Sequence, residues 1–136
     1  MEDPLHREIL EEHARSPSHQ SSLDQPTGQS EWTSPKTGNF CSVAIVSEDG
    51  RIGAIRAKAE GSALAVACSS LMGSAVVGIT VEEALGLAES VIGFLEDGKE
   101  TSFPGDLVVY ESIIRFPERH DCAMLAWRAL VLALKS

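Results

Sequence analysis

The chain is short of basic charge: 11 Lys and Arg stand against 20 Asp and Glu, a formal net charge of −9. A nucleic-acid or anionic-membrane surface needs clustered Lys and Arg, so this balance argues against both partners. It suits solubility, or a basic protein partner. Long apolar runs are missing too, and the longest fall well short of the ~18–20 residues a membrane span requires. No charged-then-apolar leader opens the sequence, so a secretory signal is not expected. Cysteine is scarce and odd in number, at three. With no leader, that points to reduced thiols in a cytoplasm rather than a disulfide framework.

What is present is ordinary for a globular protein. The 136 residues, 43% hydrophobic and 23% charged, suffice for one domain (1–136) with a core that needs no staples. Leu5, Ile9, Leu10 and His13 recur at helical spacing, which predicts an amphipathic helix over 4–15 ended by Pro17. Residues 16–30 are rich in Ser, Gln, Pro and Gly and read as a mobile connector. A short edge strand over 29–34 would carry Trp32. The clearest strand signal follows at 40–47, where Cys41, Val43 and Ile45 alternate with Ser42 and Ala44. Glu48, Asp49 and Gly50 form a hairpin turn before a return strand over 51–59 that points Ile52 and Ile55 inward.

From Ser62 to Val77 the sequence is Ala-rich and apolar on all sides, the pattern of a buried helix closed by Gly78. Thr80 and Glu83 make a capping box for the next helix, with Leu85, Ala88, Val91, Ile92 and Leu95 on its apolar face and Asp97-Gly98 at its end. A short helix near 107–113 and a C-terminal helix from about Asp121 to Leu134 complete the chain. The fold expected is α+β: a small antiparallel sheet of about three strands with helices packed on one face.

The segment 116–127, Phe-Pro-Glu-Arg-His-Asp-Cys-Ala-Met-Leu-Ala-Trp, is the most informative for chemistry. It sets Cys122 at the start of a helix after a proline-marked loop. A helix N-terminus lowers a thiol's pKa and favours the reactive thiolate. Asp121 reads as the N-cap of that helix, and its negative charge opposes thiolate formation. The alternative is that His120 and Asp121 serve Cys122 as a base or a metal ligand. His6, His13 and His19 have no spacing that singles them out and read as solvated or helix-packed.

These motifs, in this order, resemble the SufU/IscU (NifU N-terminal) family of iron–sulfur cluster scaffolds over nearly the whole chain. The resemblance runs through the opening helix (5–13) with Arg15-Ser-Pro17, then Pro35-Lys-Thr-Gly-Asn39, then Glu60-Gly-Ser62. It continues through Cys68-Ser-Ser-Leu-Met72 and Cys122-Ala-Met-Leu-Ala-Trp127. Gly105-Asp-Leu107 and Phe116-Pro-Glu-Arg119 resemble the insertion of the SufU branch, which is therefore the nearer match. The resemblance implies a zinc or iron–sulfur cluster site of three cysteines and one aspartate, whose counterparts here are Thr37, Asn39, Ser62 and Cys122. It also implies a cysteine desulfurase, or another iron–sulfur assembly protein, as partner.

Only one of those four positions supplies a thiol. Such sites are built on anionic thiolates, and metal binding must release ligand protons. Ser and Thr hydroxyls resist ionisation and Asn is neutral, so a family-type metal site within one chain is not expected and no cofactor is assigned. Cys41 points to the core, and Cys68 lies six residues along a helix from Ser62, about 9 Å away at 1.5 Å per residue. Both read as small buried hydrophobes. Ser62 makes a good N-cap, and Thr37-Gly38-Asn39 is ordinary turn chemistry.

Two readings of function remain. In one, a cytoplasmic scaffold-like protein, not a turnover enzyme, serves iron–sulfur assembly and accepts sulfur as a persulfide on Cys122. In the other, a non-metal-binding paralogue acts as a protein-binding or regulatory module. A site shared between two chains through two copies of Cys122 is a third arrangement, with no positive sign in the sequence.

Overall fold

A computed structural model describes residues 3–136. The elements run α1 (Pro4–Arg15), β1 (Gly28–Thr33), β2 (Phe40–Glu48), β3 (Arg51–Glu60), α2 (Ala63–Val76) and α3 (Val81–Asp97). A 3-10 turn at Gly105–Val109 then leads into α4 (Tyr110–Ile113), and a second at Pro117–Arg119 into α5 (His120–Lys135). The strands form one antiparallel sheet in the order β1-β2-β3. The α+β architecture is as expected, and three differences from the sequence reading stand out. β1 begins and ends one residue earlier than the expected 29–34. The short helix near 107–113 is half 3-10. The C-terminal helix begins one residue early, at His120.

Strand alternation decides which face of the sheet is dry. Cys41, Val43 and Ile45 of β2, with Ile52, Ile55 and Ala57 of β3, are buried, while their neighbours on the other face are partly or wholly exposed. Asp49 (φ 53°) and Gly50 (φ 77°) both adopt the left-handed conformation that a tight two-residue hairpin demands. α5 packs on β1 and β2, and α2 packs on β3, α1 and α5. The wholly apolar reading of α2 is explained by this position, which covers Leu71, Met72 and Val76 on several sides.

α3 begins with the expected capping box, in which the Thr80 hydroxyl accepts from the Glu83 amide and the Glu83 carboxylate accepts from the Thr80 amide, each at 3.0 Å. Its buried stripe is Ala84, Ala88, Val91 and Leu95, so Leu85 and Ile92 lie at the margin instead of the centre. An edge-to-face run of rings, Phe94 to Phe103 to Tyr110 to Trp127, fastens the 98–109 segment to α5. The buried Trp127 indole N–H donates to the Tyr110 hydroxyl at 2.7 Å.

α1 is fastened by its histidines. His6 Nδ1 hydrogen-bonds the Ser112 hydroxyl and His13 Nδ1 the Ser70 hydroxyl, both at 2.7 Å. The loop after α1 is tied at Ser18, whose N–H donates to Ser70 Oγ (2.9 Å), and at His19, whose carbonyl accepts from the Ala57 N–H (2.8 Å).

Candidate functional site

Three segments converge at the start of α5: the turn before β2, the junction of β3 with α2, and α5 itself. The turn is organised by Ser34, a buried residue whose hydroxyl oxygen accepts from the Lys36 and Thr37 amides at 3.1 and 3.3 Å. Its backbone closes the loop, with Ser34 N–H donating to Asn39 O (2.8 Å) and Gly38 N–H to Ser34 O (2.9 Å). This is the local hydrogen bonding by which Ser and Thr favour turns over regular structure.

Asp121 does not cap α5, contrary to the sequence reading. Arg119 occupies the N-cap, with no side-chain cap bond, because the 3-10 turn at Pro117–Arg119 runs straight into the helix. That leaves the Asp121 carboxylate free to reach sideways across to the turn. Its Oδ2 accepts from the Ser34 hydroxyl at 2.5 Å and from the Thr37 hydroxyl at 3.1 Å. His120 is structural as well, with its Nε2 2.9 Å from the Ile114 carbonyl, which holds the bend before α5.

Cys122 is half-buried in the first turn of α5. Its Sγ receives the Asn39 side-chain amide N–H at 3.2 Å and the Ser62 hydroxyl at 3.5 Å. Ser62 is the N-cap of α2, its oxygen accepting from Ala65 N–H at 3.1 Å, so the hydroxyl hydrogen is left for the sulfur. Asn39 itself is buried and packs against Gly61, whose φ is +121°. A Cβ at Gly61 would come within 2.1 Å of Asn39 Oδ1, so this position must be glycine for the amide to reach the sulfur.

The structure therefore brings together Thr37, Asn39, Ser62 and Cys122, the four residues singled out in the sequence. It adds Ser34, Gly61 and Asp121 as the residues that place them. Ser34 is expected from the sequence at the end of the edge strand, although a serine directly before a proline-headed turn is a signal for its role in the turn. Among the described residues no group of three or more His, Cys, Asp or Glu side chains is placed to hold a metal ion.

The other thiols lie apart. Burial pushes the Cys41 thiol up from 9.0 to about 12, against the opposing pull of the Arg56 charge. Burial does the same to Cys68, again to about 12, with the Tyr110 hydroxyl pulling the other way. Both are fully enclosed and act as core residues. No described helix is long and apolar enough to cross a membrane.

Residues 5–136 match the family described as the NifU-like N terminal domain. The chain is 29% identical over 134 residues to the iron-sulfur cluster assembly scaffold protein IscU of Streptococcus pyogenes serotype M1, covering 96% of this chain and 83% of that one. It is 24% identical over 131 residues to the zinc-dependent sulfurtransferase SufU of Bacillus subtilis (strain 168), covering 94% and 88%. The crystal structure of a nitrogen-fixing NifU-like protein (N-terminal) from Brucella abortus shares the fold, with a TM-score of 0.82 at 22% identity over 93% of this chain and 90% of that one.

Proposed function

The chain belongs to the NifU-like N-terminal domain family of iron–sulfur assembly proteins, and from that premise we propose that it is a scaffold-like sulfur acceptor working through Cys122. It acts as one domain, in the cytoplasm, as an accessory protein and not a turnover enzyme. Its partner is a cysteine desulfurase, and the segments Gly105–Leu107 and Phe116–Arg119 support a place in the SufU branch. The observation that carries this reading is the pair of donors, Asn39 N–H and Ser62 O–H, directed at the sulfur of a partly buried cysteine in the first turn of a helix. Hydrogens directed at a sulfur stabilise negative charge on it as it reacts, and the thiolate is the nucleophilic form of a cysteine. Asp121 opposes them as a nearby negative charge, yet its carboxylate is engaged by two hydroxyls.

The step is a simple exchange. The Cys122 thiolate attacks the terminal sulfur of a persulfide on the desulfurase. A new S–S bond forms at Sγ, the partner's S–S bond breaks, and the partner's cysteine leaves as a thiolate. Electrons balance without a further oxidant or reductant.

The family's metal or cluster site is defective on this reading, and donor chemistry is the support. A metal needs electron pairs converging on one point, whereas here hydrogens from Asn39 and Ser62 converge on the sulfur, and the Thr37 hydroxyl is directed at Asp121. One thiol, two hydroxyls and an amide do not fit zinc or an iron–sulfur cluster. The same donor set favours a second reading, a metal-free module that binds or regulates another assembly protein.

Incubation with a cysteine desulfurase and cysteine, followed by thiol labelling and mass spectrometry, separates the two. A sulfur acceptor gains one sulfur at Cys122, and Cys122→Ser gains none. An unmodified Cys122 beside a turning-over desulfurase refutes the acceptor and leaves the binding module.

A further inference from the structure

We propose that Asp121 is a positioning residue for Cys122: its carboxylate latches the 34–39 turn onto α5 and thereby holds the Asn39 amide on the sulfur. Its meaning for function rests on the reading of Cys122 given above, but the geometry does not. The latch makes with hydrogen bonds the tie between turn and helix that a shared metal ion would make in a site with a full set of ligands.

Each hydroxyl in the turn has a single hydrogen, and both are directed to Asp121 Oδ2. Their oxygens remain free to accept, and they do so from the turn's own backbone. Ser34 Oγ takes the Lys36 and Thr37 amides, and Thr37 Oγ1 takes the Asn39 amide at 3.2 Å. An unbroken path of contacts thus runs from the carboxylate through Thr37 to the backbone of Asn39, the residue whose side chain meets Sγ. Because Asp121 and Cys122 are consecutive on α5, they grip the turn at two adjacent points. Two hydroxyl hydrogens of the turn meet at the carboxylate, whereas the turn offers the sulfur only the Asn39 amide, so the carboxylate is the fuller of the two grips. Asp121 is available for this because Arg119, not Asp121, sits at the helix N-cap.

The test is the rate at which iodoacetamide, an uncharged reagent, alkylates Cys122 in the full chain, read on the alkaline plateau of its pH–rate profile. No sulfur donor is present, so the latch and the acceptor reading can fail separately. Asn39→Ala is expected to raise the plateau rate about three- to tenfold, the factor carried by one net hydrogen bond. Asp121→Ala should raise it comparably, and the double variant no further, because one acts through the other. Thr37→Val should follow in the same direction, while Thr37→Ser, which keeps the hydroxyl, should match the parent. Cys41 and Cys68 serve as internal controls, since a variant that merely unfolds exposes all three thiols. The proposal is overturned if Asp121→Ala and Thr37→Val leave the plateau at the parent value in folded protein, or if the Asp121 and Asn39 effects multiply in full.

Discussion

Cys68 and Cys122 sit on helices that pack together, and Cys68 feels the charge of Cys122 as one cause of its raised pKa. Their surroundings nevertheless give them different chemistry. Cys68, like Cys41, is fully buried, and there the cost of burying a thiolate outweighs the Tyr110 hydroxyl at Cys68 and the Arg56 charge at Cys41. At Cys122 the wall is polar, and two donors face the sulfur. The contrast teaches that the presence of cysteine decides little here. What decides is how deeply the sulfur is buried and how many donors face it.

The largest expected effect breaks the contrast from the core side. Unfolded, the two core thiols ionise near 9, whereas folded they keep their protons to about 12. Between those values the folded state binds more protons, so stability is intact below 9 and falls as pH rises through the window. The loss approaches about 4 kcal/mol per thiol at its top. Tyr110, also raised by burial, adds in the same direction. Urea unfolding at a series of alkaline pH values should show the fall, and Cys68→Ala should flatten it. If Cys122→Ser flattens it as much, the two environments are not distinct.

A smaller effect acts from the site side. Gly61→Ala puts a side chain at φ +121° and into the space of the Asn39 amide, so a loss of about 1–3 kcal/mol is expected in the same urea measurement. Gly38→Ala, also at positive φ but with no atom near its Cβ, supplies the comparison that isolates the clash with Asn39. The smallest effect is an expected absence. Zinc, or a chelator, should leave the thermal midpoint where it was, because a ligand that binds only the folded state would have to raise it. A zinc-dependent rise that Cys122→Ser abolishes would return Cys122 to the class of metal ligands.

Much of the fold was legible because its signals are local. The Asp49-Gly50 turn, the Thr80–Glu83 capping box and the alternation through β2 each state their structure within a few residues, and the sheet and helices follow. The site was legible only as a set of positions. Thr37, Asn39, Ser62 and Cys122 could be marked by resemblance, yet the direction of each hydrogen depends on contacts across 60 to 87 residues of chain. Asp121 shows the limit most clearly. An acidic residue just before a helix reads as a cap, and only the 3-10 turn ahead of α5 moves that role to Arg119. Leu85 and Ile92 moved from centre to margin for a similar reason, since the line of contact between α3 and α5 fixes the buried stripe.

The run of rings from Phe94 to Trp127 has an optical consequence. Tyr110 is the only tyrosine of the chain, and its ring centroid lies 6.5 Å from that of Trp127. At such a separation light absorbed by the phenol is emitted by the indole, so tyrosine emission is dark while the α4 segment that carries Tyr110 stays docked on α5. Release of that segment would make the phenol glow in its own band, and the helix that carries Cys122 thus comes with a built-in fluorescent gauge of its own support.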